Sequence, residues 1–228
     1  MNGVEVNGVA DRLAAVRARI ERASGNRPDG SAVEVVAVTK GFGPEVVAEA
    51  VAAGIRDLGE NYADELIAKH SRSPSASQCR WHYLGRVQRN KVRHLAGRVS
   101  VWQSVDRVVA GEEIAKRAPG ARVLVQVNVT GEPTRNGCVI GDAPALVDAL
   151  AGLGLDVCGL MAVGPVGDPE RVRPAYRQVG ELSRRLGLSH CSMGMTDDLE
   201  VAVEEGATMV RVGRALFGPR SSRDHLRR

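Results

Sequence analysis

The chain reads as an α/β protein, a single parallel (β/α)8 TIM-type barrel with an additional N-terminal helix. Three observations predict this. Eight apolar runs of three to seven residues alternate with stretches of helical periodicity. Most of the runs are rich in valine and nearly continuous in apolar character, as strands covered on both faces are. Aromatic residues make up only 3% of the chain, so the core must come from Val, Leu, Ala and Ile. A doubly wound open sheet shares the same alternation and is the other arrangement to weigh, because two of the runs are weak.

The elements follow in order. Val9, Leu13, Val16 and Ile20 recur on one helical face with Arg and Glu between them, which predicts a helix over about 7–24. Residues 25–30 read as a loop. Strands are expected over 33–39, 55–58, 81–84, 99–103, 123–129, 155–161, 190–192 and 208–212. The helical patterns between them cover 45–53, 62–70, 90–96, 105–118, 143–151, 169–186 and 197–205. The best candidate for a linker, 71–78 with its Ser and Pro content, is only eight residues long. The expectation is one domain over 1–228: the helix, a barrel over about 33–220, and a basic tail over 221–228.

Bulk properties exclude several classes. Hydrophobic residues are 43% and charged residues 25%, an ordinary globular balance. The net charge of +4 is far from a dense nucleic-acid stripe. Cys79, Cys138, Cys158 and Cys191 form no C-x-x-C pair and have no metal-ligand spacing. Cys158 and Cys191 sit in apolar runs, where a thiol is a small core residue. The N-terminus carries Glu5 and Asp11 without a continuous apolar stretch, so no signal peptide is expected. No run approaches the roughly 18 apolar residues of a membrane helix. These readings point to a reduced cytoplasmic protein without metal or membrane partners.

Strand parity places the chemistry. Val36, Val38 and Lys40 share one face, so Lys40 projects inward at the carboxyl end of the first strand. Gln126 and Asn128 share the inner face of the fifth strand, and Met209, Arg211 and Gly213 that of the last. In parallel barrels the carboxyl-end face carries the active site. A lysine among apolar neighbours has its pKa drawn below the usual value of about 10.4, and a neutral amine is what attacks an aldehyde to form a Schiff base. The segment Cys191-Ser-Met-Gly-Met-Thr-Asp-Asp198 joins a strand to a helix: Gly194 permits close backbone approach, and Thr196 suits an N-cap. Arg211-Val-Gly-Arg-Ala-Leu-Phe-Gly218 closes the last strand and opens a short helix. Barrel enzymes bind phosphate with the loops after strands seven and eight, the places these two segments occupy. Asn61 in Gly59-Glu-Asn-Tyr62 is either a turn residue or a donor to a ligand. The cationic stretch from Trp81 to Lys91 could stack Trp81 and Tyr83 on a nucleic acid, but a basic face without repeated aromatics is ordinarily a solvated helix. His82 lacks a partner at metal spacing and reads as a satisfied interior histidine.

Taken together, these segments resemble the pyridoxal-phosphate homeostasis proteins, single-domain relatives of the N-terminal barrel of alanine racemase. The resemblance runs from about residue 33 to residue 220. It rests on Val-Ala-Val-Thr-Lys40, Gly-Glu-Asn61-Tyr, Trp-His-Tyr-Leu-Gly85 with Gln88 and Asn90-Lys91, and Val-Gln-Val-Asn-Val129. It continues through Gly-Leu-Met161, Ser192-Met-Gly-Met-Thr196 and Arg211-Val-Gly-Arg-Ala-Leu-Phe-Gly218.

The resemblance implies pyridoxal 5′-phosphate (PLP) held as a Schiff base on Lys40. It also implies a phosphate held by Ser192, Met193, Gly194 and Thr196 with Gly213 and Arg214, and Arg211 near the pyridine nitrogen. Arginine accepts no proton, so the ring nitrogen would stay unprotonated and the cofactor would be a weak electron sink. The implied role is a monomeric carrier in PLP homeostasis that serves apo-enzymes. The alternative is a PLP-dependent amino-acid racemase or lyase using the same lysine. By the same resemblance racemase chemistry is expected to need a second base from a further domain, for which the roughly ten residues after Gly218 are expected to leave no room. Four positions depart from the family pattern: Phe42 replaces a usual second lysine, Arg86-Val87 replaces His-Leu, and Arg214 replaces a hydroxyl residue.

Overall fold

The computed structural model describes residues 8–25, 32–165 and 167–219. Its strands are β1 (Glu34–Val38), β2 (Asp57–Glu60), β3 (Arg80–Tyr83), β4 (Val101–Val105), β5 (Arg122–Asn128), β6 (Cys138–Val139), β7 (Asp156–Ala162), β8 (His190–Ser192) and β9 (Met209–Val212). Its helices are α1 (Val9–Ser24), α2 (Glu45–Ala52), α3 (Ala63–Arg72), α4 (Arg89–Leu95), α5 (Val108–Arg117), α6 (Ala143–Gly152), α7 (Arg173–Arg185), α8 (Leu199–Glu204) and α9 (Arg214–Phe217). All strand pairings are parallel, and the ring runs β1-β2-β3-β4-β5-β7-β8-β9 and back to β1. It is the eight-stranded closed barrel that the alternation predicts. The two-residue β6, which carries no signal in the sequence, pairs with β5 outside that ring.

Alternation within each strand divides two apolar layers. Ala37, Leu58, Trp81, Trp102, Val125, Leu160 and Val210 point outward into the main core against the helices. Val101, Leu124, Cys158 and Met161 form a separate small cluster inside the ring. The remaining inward positions include Asp57, His82, Gln103, Gln126, Ser192 and Arg211, all buried. Helix α1 buries Leu13, Val16, Ile20 and Ala23, the face its periodicity marks, and packs on α8 and α9.

Several boundaries differ from expectation for physical reasons. Strands β2 and β4 each lie two residues later, ending on Glu60 and Val105. Glu60 looks like a loop residue, but a buried Lys69 neutralises it. Ile55 belongs instead to the turn after α2, its N–H bonded to the Ala50 carbonyl. Residues 71–78 are no linker: α3 runs to Arg72, and a 3-10 turn at Pro74–Gln78 buries Ala76, whose carbonyl accepts from Trp81 Nε1 at 3.2 Å. The long helix expected over 169–186 is a 3-10 turn, Pro169–Val172, followed by α7, because Pro174 has no N–H and is tolerated in a first turn. The loop expected over 25–30 lies outside the described residues beyond Gly25, and the basic tail over 221–228 lies wholly outside them.

Glycine at position 85 is a packing requirement. A Cβ there would lie 1.8 Å from the Asn61 carbonyl oxygen and 2.8 Å from its carbon, both backbone atoms. The loops after β2 and β3 therefore touch main chain to main chain. Gly85→Ala is expected to lower unfolding free energy by about 2 kcal/mol through overpacking. The measurement is a urea midpoint that falls at constant slope; an unchanged midpoint would mean that the Asn61 loop moves aside freely.

Candidate functional site

At the carboxyl ends of the strands lies a cavity of about 350 Å³, within the range of small-ligand sites. Its polar lining includes Lys40, Asn61, Thr196, Arg211 and Arg214, together with the backbone of Gly213. Val38, Leu84, Met161 and Val163 supply apolar wall. Lys40 is half-buried at the end of the β1 inner face, where parity places it.

The chain on both sides of Lys40 is tied down. Lys69 on α3 donates to the Thr39 carbonyl at 2.7 Å, and the Gly41 N–H donates to Glu65 Oε2 at 2.8 Å. Lys69 is 2% exposed and pairs with the fully buried Glu60, with Glu65 a further 3.3 Å contact. Glu60 also accepts from Thr39 Oγ1 at 2.9 Å and from the Asn61 N–H at 3.1 Å. Burial pushes the Glu60 carboxyl up, while Lys69 and Thr39 pull it back. A buried pair adds little net stability over an apolar substitute. Its effect here is positional, because one ion pair fixes the residues before Lys40 and Asn61 relative to each other.

Arg211 forms part of the cavity floor. Its Nη1 donates to the Ser192 carbonyl at 2.7 Å and to Ser192 Oγ at 2.8 Å, and its Nη2 donates to the Ala162 carbonyl at 2.7 Å. Burial pulls its pKa down, although a guanidinium stays charged in proteins. Tyr176 joins two loops of the rim: its hydroxyl donates to Asp198 Oδ2 at 2.7 Å and accepts from the Gly164 N–H at 3.2 Å. Asp198 Oδ1 accepts from the Met195 N–H at 2.6 Å. Thr196 is therefore not the helix cap: Asp198 holds that place, and α8 starts at Leu199. Across the mouth, exposed Arg214 pairs with exposed Asp197. Phe42 packs its ring on Phe217 at 5.5 Å between centroids.

Of the site residues expected from sequence, Lys40, Asn61, Thr196, Arg211, Gly213 and Arg214 converge on this cavity. Ser192 lies beneath it, fully buried, as a partner of Arg211. Met193 turns its side chain into the core between barrel and helices, and its N–H bonds to the Met209 carbonyl. Gly194, at φ 91°, accepts from the Arg211 N–H, and a Cβ on it would lie 2.5 Å from that of Ala202. Asn128 holds the 130–135 loop, through Thr130 N–H at 3.0 Å and the Glu132 carbonyl at 2.8 Å. His82 is a satisfied interior histidine, bonded to Asp57 and Gln103. Trp81 and Tyr83 are 1% and 4% exposed, so neither can stack on a nucleic acid. The contributions of Asp57, Gln103, Tyr176 and Asp198 escape sequence reasoning. The one available signal is the occurrence of Gln and His at inward parity in otherwise apolar runs.

Residues 12–221 match the family model of the alanine racemase N-terminal domain. The Pseudomonas aeruginosa pyridoxal phosphate homeostasis protein is 40% identical over 221 residues, covering 93% of this chain and 96% of the relative. The Escherichia coli K12 protein of the same name is 33% identical, covering 94% and 98%. The chain belongs to the pyridoxal phosphate homeostasis proteins of the alanine racemase N-terminal domain family. Among solved structures, PipY of Synechococcus elongatus with PLP bound matches at a TM-score of 0.79 and 30% identity, covering 92% of this chain and 100% of that one. A Clostridium difficile alanine racemase matches at 0.67 with 14% identity over 58% of its length, a likeness of fold alone. Among the described residues, no helix is long and apolar enough to cross a membrane, and no group of three or more His, Cys, Asp or Glu could hold a metal ion.

The Asp57 carboxylate makes stability depend on pH. Burial pushes it up, but hydrogen bonds from His82 and Arg80 outweigh that and hold it at about 2. A depressed carboxyl stabilises the fold above its unfolded value, about 3.9, and that stabilisation fades as pH falls toward the folded value. The shift corresponds to about 2 kcal/mol. Urea unfolding from about pH 5 to about pH 2.5 is expected to lose most of this in the wild type and little of it in Asp57→Asn. Parallel profiles would place the acid sensitivity elsewhere.

Proposed function

We propose that this chain binds pyridoxal 5′-phosphate in the carboxyl-end cavity and acts as a carrier in PLP homeostasis. The observation that carries this reading is the convergence of one amine, from the end of β1, and two guanidiniums, from β9 and the start of α9, beside the carboxylates of Asp197 and Asp198 on a single cavity with apolar walls. Those groups suit the cofactor: an amine for its aldehyde, cations for its phosphate and ring nitrogen, and apolar wall for the ring. The family membership and the PLP-bound PipY relative support the same assignment.

When bound, the cofactor would supply an aldehyde able to condense reversibly with a neutral amine. Lys40 is the residue assigned as that amine. The Thr196 hydroxyl, the Gly213 backbone and Arg214 are assigned to the phosphate, with Arg214 supplying an ionic contact where relatives carry a hydroxyl. Gly213 is suited to this by packing, since a Cβ there would press on the Val38 carbonyl at 3.0 Å. Arg211 is assigned to the ring nitrogen and Asn61 to the ring edge. Ser192 acts through Arg211, and Gly194 turns the following residues toward the cavity. Met193 contributes through its place in the core alone.

A guanidinium at the ring nitrogen leaves that nitrogen without a proton and weakens the ring as an electron sink. Storage and delivery suit such a site better than carbanion chemistry. On this reading the protein is a cytoplasmic monomer whose recipients are apo-enzymes that need the cofactor.

Two outcomes test the assignment. PLP-loaded protein is expected to show an absorbance band near the visible edge that borohydride fixes to the chain, and Lys40→Ala is expected to lack both band and label. Absence of the band in wild type with added cofactor would refute the reading. A phosphate must also compete with Asp197 for Arg214, and an exposed ion pair of this kind holds about 0.2–1 kcal/mol. Asp197→Asn is therefore expected to tighten PLP binding, roughly twofold to fivefold by equilibrium titration. Weaker binding would show instead that Asp197 holds Arg214 in a useful position.

A further inference from the structure

One continuous run of hydrogen bonds crosses the barrel interior, and the cavity touches only its upper end. Below Arg211, the Ser192 hydroxyl donates to Gln103 Oε1 at 2.7 Å. Gln103 Nε2 lies 2.7 Å from His82 Nδ1, and His82 Nε2 lies 3.0 Å from Asp57 Oδ1. Arg80 closes the far end on the same carboxylate, with Nε–Oδ1 and Nη2–Oδ2 both at 2.6 Å. Arg211, Ser192, Gln103, His82 and Asp57 are all 9% exposed or less.

Chemistry fixes the direction of every link. An amide nitrogen only donates, so His82 Nδ1 must accept, and the imidazole hydrogen sits on Nε2 facing Asp57. The Gln103 oxygen only accepts, so Ser192 must give it its hydroxyl hydrogen, leaving Ser192 Oγ to receive Arg211. Each donor therefore points from Arg211 toward Asp57. Among the described residues, the hydrogen-bond partners of Arg211 are neutral oxygens; the Asp198 carboxylate acts on it through space, and its bonded path to a carboxylate runs through three neutral groups to Asp57. Such chains polarise cooperatively in a low-dielectric interior. Three of the five N–H donors of the guanidinium are committed by these bonds, which sets the plane it presents to the cavity.

We propose that Gln103, which the cavity does not touch, is a positioning residue for the cofactor: by orienting Ser192 it fixes the guanidinium of Arg211 against the ring nitrogen, and Asp57 polarises the chain from the opposite end of the barrel. This rests on the assignment of PLP to the cavity. Gln103 is the link that cannot be replaced by shape alone, because it must accept from Ser192 and donate to His82 at once.

The test uses the full chain loaded with PLP labelled with ¹⁵N in the ring. Gln103→Met matches the side chain in length and removes both bonds. It is expected to keep the borohydride-fixed label on Lys40, to move the ring ¹⁵N resonance away from its wild-type position, and to release cofactor roughly tenfold faster into excess scavenger, about what one charge-assisted hydrogen bond is worth. Gln103→Glu keeps the side-chain length and an oxygen that accepts from Ser192, and should return both readouts toward wild type. Ser192→Ala breaks the neighbouring link with little change of volume, and should move the readouts as Gln103→Met does, which keeps the test standing if that variant misfolds. Lower thermal stability with wild-type resonance and release rate in both broken variants would mean that the chain is merely structural and would overturn the proposal. A wild type that takes up no PLP would fail earlier, at the cavity assignment.

Discussion

The parallel pairing of β1 with β9 is the contact on which the rest depends. It closes the ring with Val36 opposite Arg211 and Ala37 opposite Val212. That register sets Lys40, just beyond β1, beside Gly213 and Arg214, just beyond β9. The approach continues past the strands, where Gly213 leaves room for the Val38 carbonyl. Residues from opposite ends of the described chain thus become neighbours through backbone geometry. Closing so long a loop is entropically unfavourable and yields no contact until the ring is complete. The cavity is therefore a property of the closed barrel and of no smaller piece of it.

The barrel divides stability and function between its two layers. Outside the ring, the apolar strand faces and helices bury Trp81, Trp102, Tyr176 and most of the aliphatic residues, and each large side chain there stabilises by several kcal/mol. Inside, a small apolar cluster shares the space with polar side chains. A buried polar group left without a partner costs about 1–3 kcal/mol, so an interior of this kind is tolerable only when its groups satisfy one another. The run from Arg211 to Asp57 meets that condition at every link. The Lys69–Glu60 pair follows the same logic on the outer face of the ring, where it ties the ends of β1 and β2 to α3. Both arrangements accept weak net stabilisation in return for fixed geometry at the carboxyl-end rim.

What could be read from the sequence follows from which forces are local. Strand parity placed Lys40, Met209 and Arg211 correctly because side-chain alternation depends only on neighbours along the chain. Helix α1 was legible in its buried face for the same reason. The shifts of β2 and β4 have the opposite origin. Glu60 and Ser104 are polar residues whose burial depends on partners in other elements, so local pattern began and ended both strands two residues too early. Thr196 looked like a cap because hydroxyls commonly are; the helix instead starts at Leu199 after Asp198, whose carboxylate is taken up by Tyr176 and the Met195 N–H. Trp81 and Tyr83 could be weighed for stacking only while their burial was unknown. Interior polar chains of this sort are invisible to composition, since one His, one Gln and one Ser at inward positions resemble ordinary exceptions to an apolar run.

The arrangement around Arg211 also bears on the carrier role proposed for this site. A carboxylate in that place could share a proton with a ring nitrogen and draw electrons through the ring; a guanidinium offers only donors that it does not surrender. Its charge must still be balanced, and a carboxylate in direct contact would turn the guanidinium away from the cavity. Asp198 at the rim acts on it through space, and the carboxylate that the bonded chain reaches lies at the far end, where it avoids that conflict. Asp57 is close enough in bonded terms to polarise the chain, and too far to compete for the face that Arg211 presents. Arg80 then holds Asp57 at the opposite end, so the anion is itself satisfied where no ligand reaches it. A site built this way can be rigid, cationic and chemically quiet together, as reversible retention of an anionic aldehyde requires.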